Sequence, residues 1–242
     1  MEETRPGSSS VRVVSWNCKQ GLTDDKARRL LELRPDVAIV QECAAATRLD
    51  GLTMVAWHGK APYQGLALFV RRELDPVALP VSDAGRRWGL AVRLRSLDVD
   101  VVGVHGFKRN GEAGPPRGVA RDAIASLAEV LARGRTILIG DFNDGPYFDA
   151  GHGRSFRKTW DLLASTGYTS AYHLSTGETY GAETARTFYQ GDRSFFIDHA
   201  FLPRALAPFL RKYEIGSIGE WRSVSDHLPL TMDMAIAGLG TT

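Results

Sequence analysis

Short apolar runs recur along this chain, and several end in polar residues that a core would not choose. Val11–Trp16, Asp36–Gln41, Gly65–Arg71, Trp88–Leu94, Val99–His105 and Thr136–Gly140 are rich in Val, Ile and Leu and predict strands. Further strands are predicted near Thr187–Tyr189, Phe195–Leu202, Lys212–Ile218 and Leu228–Met234. Some runs alternate and others are continuously apolar, as expected for strands covered on one or both faces. Helical spacing is rarer. Asp24 or Asp25 caps a first predicted helix, Ala27, Leu30 and Leu31 share its face, and Pro35 stops it. A longer helix is predicted after Pro115 and Pro116, with Ala120, Ile124, Leu127 and Leu131 on one side and Gly134 at its end. A third runs from Ser155 to Ser165. Many short strands with helices mostly between them favour two sheets packed face to face with helices outside. No repeat and no linker-like stretch interrupts the pattern. The expectation is one domain over 11–237, flanked by flexible tails at 1–10 and 238–242.

Composition narrows the class. The 242 residues are 43% hydrophobic and 24% charged, which is globular rather than disordered or fibrous. Thirty basic residues against 28 acidic ones give a net charge of +2, too little for a protein that binds polyanions by bulk charge. The basic residues are 24 Arg and 6 Lys. That surplus reads either as codon bias in a GC-rich genome or as phosphate recognition by bidentate guanidinium groups. Two cysteines, Cys18 and Cys43, are too few for a disulfide scaffold or a thiolate zinc site. Residues 1–10 lack the apolar core of a signal peptide, and no apolar run approaches the ~20 residues of a membrane span. A soluble, cytoplasmic, monomeric protein is expected.

The candidate chemistry sits at the strand ends. Asn17 closes the first strand and Glu42 the second, and Asp141 and Asn143 follow the very apolar Ile137–Gly140. Asp198 lies in another apolar segment, and Ser225, Asp226 and His227 precede the last strand. Singly, each has an ordinary reading as a turn residue, a helix cap or a structural hydrogen-bonding pair. Together they are harder to explain that way, because clustered buried carboxylates cost several kcal/mol unless a cation or donors satisfy them. A few hard oxygen ligands suit Mg²⁺, which keeps waters and shares substrate phosphate oxygens.

In order, these residues form the series Trp16-Asn17, Gln41-Glu42, His105, Gly140-Asp141-Phe142-Asn143, Thr187-Phe188-Tyr189, Ile197-Asp198 and Ser225-Asp226-His227. The series resembles the endonuclease/exonuclease/phosphatase superfamily, which has the DNase I-like fold, and it spans almost the whole chain. With Trp221 just before the Ser-Asp-His motif, the chain is similar to a group of compact bacterial members. The resemblance implies an α/β, four-layer αββα sandwich of two mostly antiparallel sheets with the site at one rim. It also implies metal-dependent hydrolysis of a phosphoester, with Mg²⁺, or Mn²⁺ in its place, as cofactor. Carried over, Glu42 is the principal metal ligand with Asn17 beside it. Asp141 aligns or deprotonates the attacking water, and Asn143 holds the phosphate. His227 contacts the phosphate, Asp198 fixes its tautomer and charge, and Asp226 lies beside the metal as a further ligand, to that ion or to a second one. His105 matches a second phosphate-contacting His or general acid.

One position departs from the pattern. Lys19 stands where many members carry Asn or Asp, and it reads either as a phosphate contact or as a solvated loop residue. Cys18 and Cys43 each follow a proposed site residue, so strand alternation turns both into the core as buried thiols. Two loops add positive charge, with Lys108, Arg109, Arg117 and Arg121 in one and His152, Arg154, Arg157 and Lys158 in the other. They form a phosphate-tracking rim or simply solvated loops. Tyr147 and Phe148 are candidate stacking faces, whereas Trp160 is expected in the core. Of Phe188 and Tyr189, alternation lets only one face the site; Tyr189 is taken here as a substrate contact. The leading expectation is a nuclease hydrolysing phosphodiester bonds of DNA or RNA. The alternatives are a phosphatase or phosphodiesterase for a small molecule or lipid headgroup, and a catalytically silent binding module. Setting Glu42, Asp141, Asp198 and Asp226 aside leaves 30 basic against 24 acidic residues, an acidic site in a mildly basic shell.

Overall fold

A computed structural model describes residues 10–82, 89–106, 119–149 and 156–236. Two mixed six-stranded sheets dominate. The first contains β1 (Val11–Asn17), β2 (Val37–Cys43), β3 (Thr53–Ala61), β4 (Gln64–Val70), β13 (Leu210–Ile215) and β14 (Leu230–Met234), in the order β13-β14-β1-β2-β4-β3. The second contains β5 (Pro76–Leu79), β6 (Gly89–Leu94), β7 (Val99–His105), β8 (Thr136–Asp141), β9 (Tyr168–Ser170) and β12 (Asp198–Pro203), in the order β5-β6-β7-β8-β12-β9. A small hairpin, β10 (Phe188–Gln190) with β11 (Arg193–Phe195), stands apart. The helices are α1 (Asp24–Glu32), α2 (Val119–Ser126), α3 (Ala128–Leu131), α4 (Phe156–Ser165), α5 (Ala171–Thr176) and α6 (Ile218–Trp221).

Period-two alternation sorts the strand residues into layers. Val13, Val37, Ile39, Leu68, Val101, Ile137, Ile139 and Met232 point between the sheets and form the central core. Their neighbours Val14, Trp16, Ala38 and Val40 face the opposite way, onto the cluster that includes Leu30 of α1. Val102, Val104 and Leu138 likewise face outward, onto Ile124 and Leu127 near α2 and Phe156 of α4. Both central strand pairs are therefore covered on two faces, which explains their continuous apolar runs. Each fully buried Val, Leu or Ile contributes roughly 1.5–3 kcal/mol relative to exposure. The sheets approach closely at Gly103, where an added Cβ would lie 2.7 Å from Ile39 Cγ2 and 2.9 Å from Leu68 Cδ1.

Each sheet holds one parallel pair near its middle, β1 with β2 and β7 with β8. All four strands run to the same rim. Asn17 pairs with Gln41 there, and His105 with Asp141. Antiparallel β12 starts at that rim, with Asp198 opposite Asp141. Antiparallel β14 enters just after His227 and pairs with β1.

The sequence-derived strands are present with shifted ends; Trp88 lies outside the described residues. Three strands carry no clear sequence signal. β3 is partly exposed along its length and its apolar pattern is interrupted by His58-Gly59-Lys60, β5 is a four-residue edge strand beginning at Pro76, and β9 has three residues. The apolar run Phe195–Leu202 divides between β11 and β12 where the chain leaves the hairpin for the sheet. Lys212–Ile218 corresponds to β13, which starts earlier and ends at Ile215. The long predicted helix is broken at Leu127, between α2 and α3, although Ile124, Leu127 and Leu131 are buried as expected; the side chain of Ala120 lies outside the described ones. The cap of α1 is Thr23, and Asp24 and Asp25 occupy its first turn, where their charge complements the helix dipole. Of the expected tails at 1–10 and 238–242, all but Ser10 lies outside the described residues, and no described helix is long and apolar enough to cross a membrane.

Candidate active site

Strand parity collects the candidate residues. Asn17, His105, Asp141 and Asp198 share parity with the inter-sheet core residues of their strands, so the polar cluster caps that core at the rim. Glu42 has the opposite parity. A register shift between Val40 and Cys43 in the pairing of β2 with β4 marks a bulge there, and Glu42 adopts φ 59°. A bulge re-aims a side chain, and a left-handed non-glycine residue costs about 1–3 kcal/mol, so the surroundings must hold it. Gln20 N–H donates to Glu42 Oε2 at 2.7 Å and Gln64 Nε2 donates to the same oxygen at 3.3 Å. Cys43 thereby returns to the outer cluster with Val40, and both cysteines are free and buried. Burial pushes both thiols up, Cys43 to about 11.

Asp141 is fully buried at the centre. Its Oδ2 accepts Asn17 Nδ2 at 3.0 Å and Asn143 Nδ2 at 2.9 Å, and its Oδ1 accepts Asn143 N–H at 2.8 Å. Asn143 sits at φ 49°, a conformation its side chain tolerates, and its amide also donates to Gly106 O at 2.7 Å. Asn17 Nδ2 further reaches Glu42 Oε1 at 3.4 Å, while its Oδ1 accepts Lys19 N–H at 3.0 Å. Burial raises the Asp141 carboxyl well above the ordinary carboxylate range, against the opposing pull of His227.

His227 Nδ1 faces both oxygens of Asp198, at 3.1 and 3.0 Å. Its Nε2 lies 3.9 Å from Asp141 Oδ2, beyond a hydrogen bond. Burial opposes a charge on this imidazole, but Asp198 and Asp141 outweigh it and hold the pKa at about 9. His227 is therefore an imidazolium near neutral pH. His105 Nε2 is also 3.9 Å from Asp141 Oδ2, yet burial, then repulsion from His227, drives its pKa down to about 3. It is neutral near pH 7. The two histidines flank one carboxylate in opposite charge states.

Several supporting residues carried no role in the sequence reading. Thr187 Oγ1 accepts the N–H groups of Ile197 and Asp198, which anchors the start of β12. Ser225 Oγ donates to Asn17 O at 2.7 Å and accepts His227 N–H at 3.1 Å, joining two site residues. Trp16 Nε1 donates to His227 O, and Trp16 and Trp221 meet edge to face. Buried Gln41 donates to Ser15 Oγ and Val104 O, linking the sheets beneath the site. The Ser-Asp-His and Thr-Phe-Tyr motifs signalled Ser225 and Thr187 by position; nothing in the sequence marks Gln64.

Of the substrate candidates, Arg109, Arg117 and Arg154 lie outside the described residues. Arg157 stacks over the Tyr180 ring at 4.2 Å. Phe188, rather than Tyr189, meets His227, with ring centroids 4.7 Å apart. Tyr189 packs instead toward the Trp16–Trp221 cluster, because alternation in β10 sends the two rings to opposite sides. Phe188 stacks on Phe195, which contacts Phe148 and the exposed Tyr147. Trp160 packs against the outer core, as expected. Asp226 pairs with Lys19 Nζ at 3.0 Å. Asp141, Asp198 and His227 bring ligand atoms within 4.8 Å of one another.

A family model described as the endonuclease/exonuclease/phosphatase family matches residues 14–227. No curated protein matches the chain in sequence. Among solved structures, a 3'-phosphatase from Neisseria bound to a product DNA hairpin superposes with a TM-score of 0.71 at 19% identity, covering 93% of this chain and 99% of that one. A 3'-5' exonuclease from Neisseria meningitidis gives 0.69 at 22% identity, with 93% and 99% coverage. An AP endonuclease from Archaeoglobus fulgidus gives 0.65 at 15% identity, with 92% and 98% coverage.

Proposed function

This chain belongs to the endonuclease/exonuclease/phosphatase family, whose members are metal-dependent phosphoester hydrolases, and from that premise we propose that it is a Mg²⁺-dependent nuclease cleaving phosphodiester bonds of nucleic acid. The observation that carries this reading is the convergence of Glu42, Asn17, Asp141, Asn143 and the Asp198–His227 pair at one rim of the inter-sheet core.

The donor set fits a hard divalent ion. Glu42 would offer its carboxylate oxygens and Asn17 its Oδ1, which here accepts Lys19 N–H while Nδ2 faces Glu42 and Asp141, a partial oxygen set that Mg²⁺ completes with water and phosphate. We assign the ion to Glu42 and Asn17 rather than to Asp141, Asp198 and His227, because His227 Nδ1 already serves Asp198. When bound, the ion supplies Lewis-acid stabilisation of negative charge on the phosphate.

The residues divide the remaining work. Asp141, a buried carboxylate with a raised pKa, orients the attacking water and takes its proton. The water oxygen bonds to phosphorus as the P–O ester bond opposite it breaks, and the departing oxygen leaves with that electron pair and takes a proton from solvent. The His227 imidazolium donates from Nε2 to the phosphate as charge redistributes, and one such donor is typically worth ~2.7–4 kcal/mol. Asp198 keeps Nδ1 protonated and the ring oriented. Asn143 and neutral His105 add uncharged donors to the phosphate.

Nucleic acid is favoured over a small ester by the ring series leading outward from His227 through Phe188 and Phe195 to exposed Tyr147. Such faces stack bases whatever their sequence. A 3'-phosphatase bound to a product DNA hairpin, a 3'-5' exonuclease and an AP endonuclease among the structural relatives agree with this reading. The two free, buried thiols fit a reducing, cytoplasmic setting. The test is a hydrolysis screen with Mg²⁺ over single- and double-stranded DNA, RNA and simple phosphoesters, with Asp141→Asn as control. Metal-dependent polymer cleavage, lost in Asp141→Asn, is expected. Rapid release from a small ester with no cleavage of any polymer would overturn the choice of substrate.

A further inference from the structure

We propose that Lys19 is a resident cation standing in for a second divalent ion, so that the site binds one divalent ion only, at Glu42 and Asn17. The inference rests on the metal-dependent reading above.

Lys19 Nζ lies 3.0 Å from Asp226 Oδ2, and the side chains are 45% and 21% exposed. The loop carrying it is strongly constrained. Lys19 and Gln20 are consecutive non-glycine residues in the left-handed region, at φ 48° and 57°. Lys26 Nζ holds the loop by donating to the carbonyls of Cys18, Lys19 and Gly21, at 2.5, 2.7 and 3.2 Å. Lys19 N–H is tied to Asn17 Oδ1 and Gln20 N–H to Glu42 Oε2, so the same loop grips both proposed metal ligands. On the other side, Asp226 O accepts Tyr189 N–H at 2.8 Å, fixing the backbone that carries the carboxylate.

A half-exposed ion pair contributes little to stability. The ion pair therefore does not offset the cost of two adjacent residues in a left-handed conformation, which the hydrogen bonds of the loop hold in place, and such strain concentrates at functional sites. What the loop achieves is placement of an ammonium against the acidic residue next to His227. A divalent ion on Asp226 would need an oxygen at about 2.0–2.1 Å. It would then sit within a few ångströms of the ammonium, and the two like charges would compete for one carboxylate. Asp226 is thus neutralised by the chain itself. An ammonium carries three N–H donors, so pairing with Asp226 leaves others for a phosphate oxygen, as the second ion would otherwise provide.

The test counts ions directly. The metal-stripped full chain is titrated with Mn²⁺ and free ion is read by electron paramagnetic resonance. Wild type is expected to bind one Mn²⁺. Asp226→Asn should also bind one, with its dissociation constant changed less than about threefold, because Asp226 is not a ligand. Lys19→Asp should bind two, and Lys19→Asn serves if that variant does not fold. Two ions in wild type, loss of the ion in Asp226→Asn, or a single ion in the folded Lys19 variants would overturn the proposal. Glu42→Gln should abolish binding; wild-type binding in that variant would remove the metal-site reading and this inference with it.

Discussion

Replacing Asp198 with Asn probes the charge logic of the site while sparing its shape. The Asn oxygen still accepts from a neutral His227 Nδ1–H, and the backbone N–H of residue 198 still reaches Thr187 Oγ1, so ring orientation and the start of β12 survive. What is lost is the negative charge that helps hold the His227 pKa at about 9. Without it, the value falls toward or below the ordinary ~6.5. At pH 7.5 wild type is almost wholly imidazolium, whereas a pKa of ~6.5 leaves roughly one molecule in ten protonated. Protonation alone then lowers turnover about tenfold. Exchange of a charge-assisted hydrogen bond for a neutral one removes about 1 kcal/mol more, a further factor of about five. The kcat–pH profile should therefore lose its alkaline limb near pH 9 and show one near or below pH 6.5. Stability moves in the same sense. A raised histidine pKa stabilises the fold fully below ~6.5, and that contribution disappears as pH rises through about 9. Thermal unfolding of the metal-free protein should show this decline in wild type and a flatter curve in the variant. Turnover at pH 7.5 within twofold of wild type, with an unshifted alkaline limb, would refute the reasoning.

Ser225→Ala removes the hydroxyl that joins Asn17 O to His227 N–H, and kcat should fall about 5- to 30-fold, from ~1–2 kcal/mol of lost positioning, with the fold intact by circular dichroism. Gly103→Ala forces a methyl against Ile39 and Leu68 between the sheets, and urea unfolding should show a loss of about 1–3 kcal/mol with an unchanged m-value. Tyr147→Ala removes the exposed end of the ring series, and KM for polynucleotide should rise about 5- to 150-fold, from ~1–3 kcal/mol per stacked base, with small-ester hydrolysis unaffected.

Much of this architecture is legible in the sequence because burial on two faces writes long apolar runs. Val99–His105 and Thr136–Gly140 could hardly be anything else, and the polar residues ending them mark the rim. The edge strands are not legible for the converse reason. β3, β5 and β9 bury little or are short, so neither periodicity nor composition announces them. In the site, parity read from the sequence brings Asn17 and Asp141 to one face, but it would send Glu42 away. Only the bulge at Gln41–Glu42, a property of the pairing with β4, returns it. The choice between Phe188 and Tyr189 turns on the same kind of information, because parity says that one faces the site and the position of β10, which brings Phe188 against His227, decides which. Charge states lie further from the sequence still. His105 and His227 are both buried histidines beside Asp141; burial opposes charge on each, but Asp198, with Asp141 and Asp226, keeps His227 cationic, while burial and repulsion from that imidazolium keep His105 neutral.

The central claim is that a divalent ion held by Glu42 enables phosphodiester hydrolysis at Asp141 and His227. Its most direct test is the cleavage rate of end-labelled DNA and RNA by wild type and Glu42→Gln, each with Mg²⁺ and with EDTA. Cleavage is expected at full rate only from wild type with Mg²⁺, with Glu42→Gln slower by at least about 100-fold, the ~2.7 kcal/mol that loss of one charge-stabilising group typically costs. Cleavage that persists in EDTA, or that Glu42→Gln performs at the wild-type rate, would contradict it.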